Sequence, residues 1–259
     1  MTRRTSGTDR TGTAHPGGGP ALVVVAHGSR DPRALSTVRA LLDRVRALRP
    51  ALPVRLGHIE LNAPLLPDTL AALGDGEAVL VPLLLTRGHH VGRDVPEMAA
   101  ASPARTRVAA PLGPHPLLVD ALHDRLTEAG WPATAPADGA VVLASAGSRA
   151  PASRADTART AALLAARLGA PVVPAHASAA APTVPEAVRA LTAEGHRRIA
   201  VASCFTAPGR FATECAAAAP WIASAPLGTH PAMARLLLHR YDEALRAGSA
   251  RERRAPATP

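Results

Sequence analysis

The sequence predicts an α/β protein made of two tandem, pseudo-symmetric α/β/α lobes, each with a mainly parallel four-stranded sheet. Three observations predict it. Short apolar runs alternate with amphipathic helical stretches, the order that builds a parallel sheet with helices on both faces. The pattern is written twice: ALVVVAHGSR (Ala21–Arg30) returns as AVVLASAGSR (Ala140–Arg149), TRGHHVGRDVPE (Thr86–Glu97) as TAPGRFATECAA (Thr206–Ala217), and APLGPHP (Ala110–Pro116) as APLGTHP (Ala225–Pro231), always 115–120 residues later. Runs such as Leu22–Ala26 and Ala78–Leu85 are apolar at nearly every position, as in strands covered on both faces.

Residues 1–20 are rich in Gly, Thr and Arg and read as a disordered tail. Leu22–Ala26 is the first strand, and HGSRDP the loop after it. Leu35, Val38, Leu41, Leu42, Val45 and Leu48 recur at helical spacing, and Pro50 and Pro53 end that helix. Val54–Leu61 reads as a second strand, Asp68–Leu73 as part of a helix, Ala78–Leu85 as a third strand and Pro103–Ala109 as a fourth. The helix Leu117–Leu126 closes a lobe spanning 21–130, and residues 131–139 form a Pro- and Ala-rich linker. The second lobe, 140–247, repeats the order. It has strands at Ala140–Ser145, Val172–Ala177 and Ile199–Phe205, helices at Ala158–Leu168 and Glu186–Thr192, and a last helix at about Pro231–Arg246. The Arg-rich stretch 248–259 reads as a second disordered tail.

Composition narrows the function classes. The net charge of +9 comes with a lysine-free complement of 29 arginines, and the two tails carry +2 each, leaving a core excess of +5. That suits an anionic small molecule. Aromatics are 2% of the chain, too few for stacking single-stranded nucleic acid. No run approaches the roughly 20 apolar residues of a membrane span. The N-terminus has no apolar secretory core. Cys204 and Cys215 form no metal or redox spacing and read as small buried residues. The expected location is the cytoplasm, and the expected state a monomer with pseudo-dimeric lobes.

Ligands of open α/β sheets bind beyond the carboxyl ends of the strands. That edge carries His27–Arg30, Glu60–Pro64 and Thr86–His90. His27, Glu60 and His90 are the candidate catalytic and metal-handling residues. Two imidazoles and a carboxylate suit a divalent first-row metal, and an open set leaves coordination positions for substrate. Free imidazole titrates near pH ~6.5, so the same groups can accept protons. The second copy has Ala146 for His27 and Arg210 for His90, and Ser178 or Ala179 near the place of Glu60. The chemistry is therefore expected in one lobe. His58 is matched by His176, and His115 by His230, so these four read as structural, the latter pair holding helix starts.

AHGSRDP after the first strand, HIEL after the second and LLLTRGHHVGRDVPE after the third together resemble the sirohydrochlorin chelatases, ATP-independent class II tetrapyrrole chelatases. The resemblance covers nearly all of 21–246 and includes the duplication, so the chain looks like the long, two-lobed form. It implies a chelatase-like fold and insertion of Fe2+ or Co2+ into sirohydrochlorin, for siroheme or cobalamin, with no organic cofactor. The family motif Gly-x-His-x-x-x-Asp-hydrophobic-Pro falls on Gly88, His90, Asp94, Val95 and Pro96, which selects His90 over His89. Asp94 is then expected to orient its loop and Pro96 to begin a helix. The substrate's carboxylates imply cationic partners: Arg30, Arg87 and Arg93 beside the site, with Ser29, and Arg149 and Arg210 from the other lobe.

Three other readings compete. A histidine phosphatase would need Arg before His27, where Ala26 stands. A nucleotide-binding domain would need its glycine loop after the first strand, whereas Gly17–Gly19 precede it. A tetrapyrrole or metal carrier of the same fold would bind without turnover.

Overall fold

A computed structural model describes residues 19–254 of the chain, with side chains to Gly248. The first half contains β1 (Ala21–Ala26), α1 (Pro32–Leu48), β2 (Val54–His58), α2 (Leu66–Ala71), β3 (Glu77–Pro82), a π-helical turn (His90–Asp94), α3 (Val95–Ala100), β4 (Arg105–Val108) and α4 (Pro116–Glu128). The second contains β5 (Gly139–Ser145), α5 (Pro151–Leu168), β6 (Val172–His176), α6 (Val184–Ala193), β7 (Arg198–Ser203), α7 (Arg210–Ala217) and α8 (Pro231–Arg254). Two wholly parallel sheets result, ordered β2-β1-β3-β4 and β6-β5-β7.

The expected α/β/α layering holds, with one difference in the sheets. The second has three strands rather than four. Where a fourth would lie, Ala223 makes an isolated parallel bridge to Val201, between Pro220 and Pro226. Proline supplies no ladder donor, which keeps that run too short to form a strand.

Local signals explain the helix starts. Asp31 caps α1 by accepting from the Arg33 N–H, with Pro32 in the first turn. Its apolar stripe, Ala34, Val38, Leu41, Leu42 and Val45, is buried. Thr183 and Glu186 form a reciprocal capping box on α6. The rings of His115 and His230 accept from the N–H groups of Leu117 and Ala232 and so cap α4 and α8, as expected from PLGxHP. Helix α5 begins at Pro151, seven residues before the predicted start, because Ser153, Asp156, Thr157 and Thr160 are polar yet buried and break the apolar period. Helix α8 runs through Gly248 to Arg254, into the stretch expected as tail, since Ala, Arg and Glu there are good helix formers. The expected tail 1–20 lies outside the described residues up to position 18, as do 255–259. Pro20 is held by the Tyr241 hydroxyl, which donates to its carbonyl.

Packing crosses the boundary between the copies. Helix α8, from the second copy, packs on β3, β4 and α1; helix α4, from the first, packs on β7 and α5. Each copy lends its last helix to the other. One hydrophobic cluster consequently runs from Leu22, Val24, Val79 and Val81 through α1, α8, α4 and α5 to Val141, Leu143 and Ala200. The outer sheet faces carry smaller cores under α2 and α3 and under α6 and α7. The boundaries at 130 and 140 thus separate the sequence copies but not the packing units. Leu122 on α4 and Leu237 on α8 are fully buried. Truncating either to Ala costs about 2–5 kcal/mol and loosens the joint between lobes.

Candidate functional site

The loops after β1, β2 and β3 emerge together at the carboxyl edge of the first sheet. Their spacing rests on Gly28. At φ 104° it adopts a backbone that favours glycine, and a Cβ there would stand 1.9 Å from the Glu60 carbonyl oxygen. The close approach lets the Glu60 N–H donate to the His27 carbonyl at 3.0 Å and the Ser29 N–H donate to Asn62 Oδ1 at 2.7 Å. Gly147 and Ser178 repeat this arrangement in the second copy, which identifies Ser178 as the counterpart of Glu60.

The structure brings His27, Glu60 and His90 together. The imidazoles of His27 and His90 meet edge to face, with ring centroids 4.6 Å apart at 86°. His27 Nδ1 lies 3.6 Å from Glu60 Oε1 and 3.3 Å from the Gly28 carbonyl. His90 Nδ1 lies 2.5 Å from Asp94 Oδ2. These neighbours only accept hydrogen bonds, so Nδ1 carries the proton in each neutral ring and Nε2 presents its lone pair. His27, His90 and Glu60 are half-open to solvent, with side chains 42%, 36% and 53% exposed. His89 is 67% exposed and touches Asp94 only at 3.4 Å. Among the described residues, no group of three or more His, Cys, Asp or Glu side chains is arranged to enclose a metal ion. The pair with its neighbouring carboxylates is an open site.

A cleft of about 1360 Å³ runs from this edge into the second lobe. His27, Ser29, Arg30, Glu60 and Arg210 line it; His90, which reaches it only through its contact with His27, and Arg87, Arg93 and Arg149 do not. Arg30 is exposed and carries no ion pair among the described residues. Arg210 stacks its guanidinium 4.5 Å above the Phe211 ring and reaches Glu214 at 3.5 Å. Arg93 is bonded to Glu97 at 2.8 Å, on the solvent side of α3. Arg149 is exposed on the loop after β5. Arg87 is committed to Asp156 across the lobe interface. Of the five arginines expected at the substrate, the structure therefore places two on the cleft wall. Their neighbours on it include Leu35, Val38, Leu85 and Phe205.

A model of the CbiX family matches residues 21–129 and again 140–244. The chain belongs to the CbiX family. A curated relative named sirohydrochlorin cobaltochelatase, from Methanococcus maripaludis, is 33% identical over 81 residues, covering 30% of this chain and 56% of the relative. Another, named sirohydrochlorin ferrochelatase, chloroplastic, from Arabidopsis thaliana, is 27% identical over 118 residues, covering 42% of this chain and 52% of the relative. The matched stretch is little more than half of either relative. The structure described as SirB from Bacillus subtilis with Fe3+ has the same fold, with a TM-score of 0.71 at 23% identity over 89% of this chain and 97% of that one. The expected family and the two-lobed chelatase fold are thereby shown.

Within this CbiX chain, the structure sharpens the part of one expected residue and adds two more. Asp94 bonds directly to His90, a role legible in their i, i+4 spacing. Both phenylalanines of the chain, Phe205 and Phe211, lie on the cleft wall, and their rarity was the available signal. The silent histidines stand as expected. His58 and His176 are buried, bonded to the Pro64 carbonyl and the Ser145 hydroxyl, and burial pushes both imidazoles below their ordinary range. Cys204 and Cys215 are buried free thiols, raised by burial to about 12 and about 11.

Proposed function

We propose that this chain inserts a divalent metal, Fe2+ or Co2+, into sirohydrochlorin without ATP, and that it does so at the His27–His90 pair. The edge-to-face pairing of the two imidazoles, His27 on the wall of the interlobe cleft and His90 against it, carries the proposal. Metalation exchanges two pyrrole protons for one M2+, so the site must deliver a cation and take protons away. With Nδ1 protonated, the Nε2 lone pairs of His27 and His90 offer two nitrogen donors suited to an incoming first-row aqua-metal ion. The Asp94 carboxylate raises the donor strength of His90 and fixes its ring. Glu60, beside His27 and half exposed, is placed to accept the released protons and pass them to water.

A cation held by two ligands rather than four is bound loosely, which suits a metal that is substrate and must leave. The cleft exceeds the 300–1,000 Å³ of ordinary ligand pockets. Its apolar wall fits a planar macrocycle, and Arg30 and Arg210 suit peripheral carboxylates. The enzyme works as a monomer in the cytoplasm, its second lobe replacing the second subunit of a dimer.

The test is an anaerobic spectrophotometric assay of purified protein with sirohydrochlorin and either Co2+ or Fe2+, against a protein-free control. Faster metalation is expected, and the ratio of the two rates assigns the metal. A bound-tetrapyrrole spectrum without acceleration would sink the enzymatic reading in favour of a carrier.

A further inference from the structure

Asp156 is a buried acid that the reaction just described does not use. Its side chain is 2% exposed, in the first turns of α5, in the lobe without the histidine pair. Among the described residues, the hydrogen bonds of its carboxylate all go to Arg87, in the loop that leads to His90. Its Oδ2 accepts the Arg87 backbone N–H at 2.9 Å and the Arg87 Nε–H at 3.0 Å; its Oδ1 accepts Nη2–H at 2.6 Å. One turn earlier, the Ser153 hydroxyl shares a 2.8 Å hydrogen bond with the Thr86 hydroxyl. Two successive residues of the loop are thus clamped by the opposite lobe, three positions before His90.

The clamp runs one way. In the repeat, Ser153 corresponds to Ala34, Asp156 to Thr37 and Arg87 to Ala207. At the equivalent positions of the mirrored contact, where the loop after β7 approaches α1, Thr37 and Ala207 therefore supply neither carboxylate nor guanidinium. The lobe that lacks the histidines carries the acid, and the lobe that has them carries the base. A fold-stabilising interface alone would not require this asymmetry; a device for aiming one loop would.

We propose that Asp156 is a positioning residue: through Arg87 it holds the 86–90 loop so that His90 meets His27 at the geometry metal transfer needs. The inference rests on the proposed reaction and adds to it a task for the second lobe. It also reassigns Arg87 from substrate binding to loop placement. The chemistry is static: a bidentate, charge-assisted pair plus one backbone N–H, shielded on the Asp156 side, fixes both the position and the rotation of the loop. A displacement of about 1 Å at a reacting group can cost about 100-fold in rate.

The experiment compares wild type, Asp156→Asn, Arg87→Ala and the double variant, measuring kcat and KM for metal insertion and hydrogen exchange along residues 86–94. Both single variants should lower kcat by about 10–100-fold with KM for sirohydrochlorin unchanged. The double variant should be no slower than the worse single one, since the pair acts as a unit. Exchange should quicken at 86–94 and stay slow in β5. Arg87 is largely exposed, so Arg87→Ala carries the test where Asp156→Asn fails to fold. Wild-type kcat in Arg87→Ala, a raised KM with unchanged kcat, or additive losses in the double variant would overturn the proposal. If the wild type itself does not metalate, the reaction is misassigned; exchange at 86–94 then decides the clamp separately, and an unchanged pattern in Arg87→Ala overturns it.

Discussion

Asp94 Oδ2 accepts a hydrogen bond from His90 Nδ1 at 2.5 Å, at the far end of the same π-helical turn. The carboxylate thereby sets which nitrogen of His90 faces outward. π-Helical turns are rare and recur at functional sites. In Asp94→Asn the bond loses its charge, and the amide can turn either its N–H or its oxygen toward the ring. Metal insertion should fall by about 10–100-fold, with the thermal midpoint little moved. Full activity in Asp94→Asn would show that His90 needs no partner.

The two histidines should be unequal to their neighbour. His27→Ala and His90→Ala each remove one of the two metal donors, and the rate should drop by about 100-fold or more. His89→Ala removes a largely exposed ring whose contacts are long ones, to Asp94 at 3.4 Å and to the His90 ring at 6.2 Å between centroids, so its rate should stay within a few-fold of wild type. Stopped-flow metalation with each variant checks this. An inactive His89→Ala beside an active His90→Ala would reverse the assignment.

Gly28→Ala and Gly147→Ala offer a matched pair. Each puts a Cβ 1.9 Å from a carbonyl oxygen, Glu60 in one copy and Ser178 in the other, at a positive φ. Both should lose stability by more than about 1 kcal/mol in chemical denaturation. Only Gly28→Ala should also lose activity out of proportion, because it parts His27 from Glu60. Equal residual activity in the two folded variants would deny the loop spacing a catalytic role.

Arg30→Ala should raise KM and leave kcat nearly intact, with a larger effect at low ionic strength than at high. Arg93→Ala, whose guanidinium is bonded to Glu97 outside the cleft, should change neither. Titrating sirohydrochlorin by fluorescence quenching at two salt concentrations measures this. An equal loss in both variants would mean that the substrate extends past the cleft described.

Four histidines make stability fall with acid. Burial holds the imidazoles of His58, His115, His176 and His230 below their ordinary range. In the unfolded chain each takes up a proton near pH ~6.5, so below that pH the unfolded state binds more protons than the native one. Their contribution is complete above about pH 6.5 and is lost as pH falls toward the folded-state values. His115 and His230 add a mechanism: a protonated Nδ1 can no longer accept the N–H it caps. The thermal midpoint should decline between roughly pH 6.5 and 5, less steeply in His230→Gln. A flat profile there would contradict the burial of these rings.

Much of the site was legible in the sequence, because sheet topology converts strand order into proximity. Once the strands are parallel, the residues following each must share an edge, and His27, Glu60 and His90 follow three of them. Comparing the copies separated these from His58 and His115, whose counterparts persist as His176 and His230. The arginines were less legible. Charge and position near the edge do not say whether a guanidinium reaches a cleft or an acid. Arg93 met Glu97 one turn on, and Arg87 met an Asp from the other half of the chain.

Local periodicity and the stereochemistry of connections fix the duplication, the parallel α/β layering, the histidine caps of α4 and α8 and the edge that bears His27 and His90, so these could be read from the residues. The exchange of α4 and α8 between lobes, the placing of Phe205 and Phe211 on the cleft wall and the hold of Asp156 on Arg87 emerged with the folded chain alone. These depend on which surfaces meet when two units dock, a question of long-range packing. The polar face of α5 shows the difference. Its first two turns, ahead of the expected start at Ala158, bury Ser153 and Asp156 against the loop of the other lobe, which pairs with both.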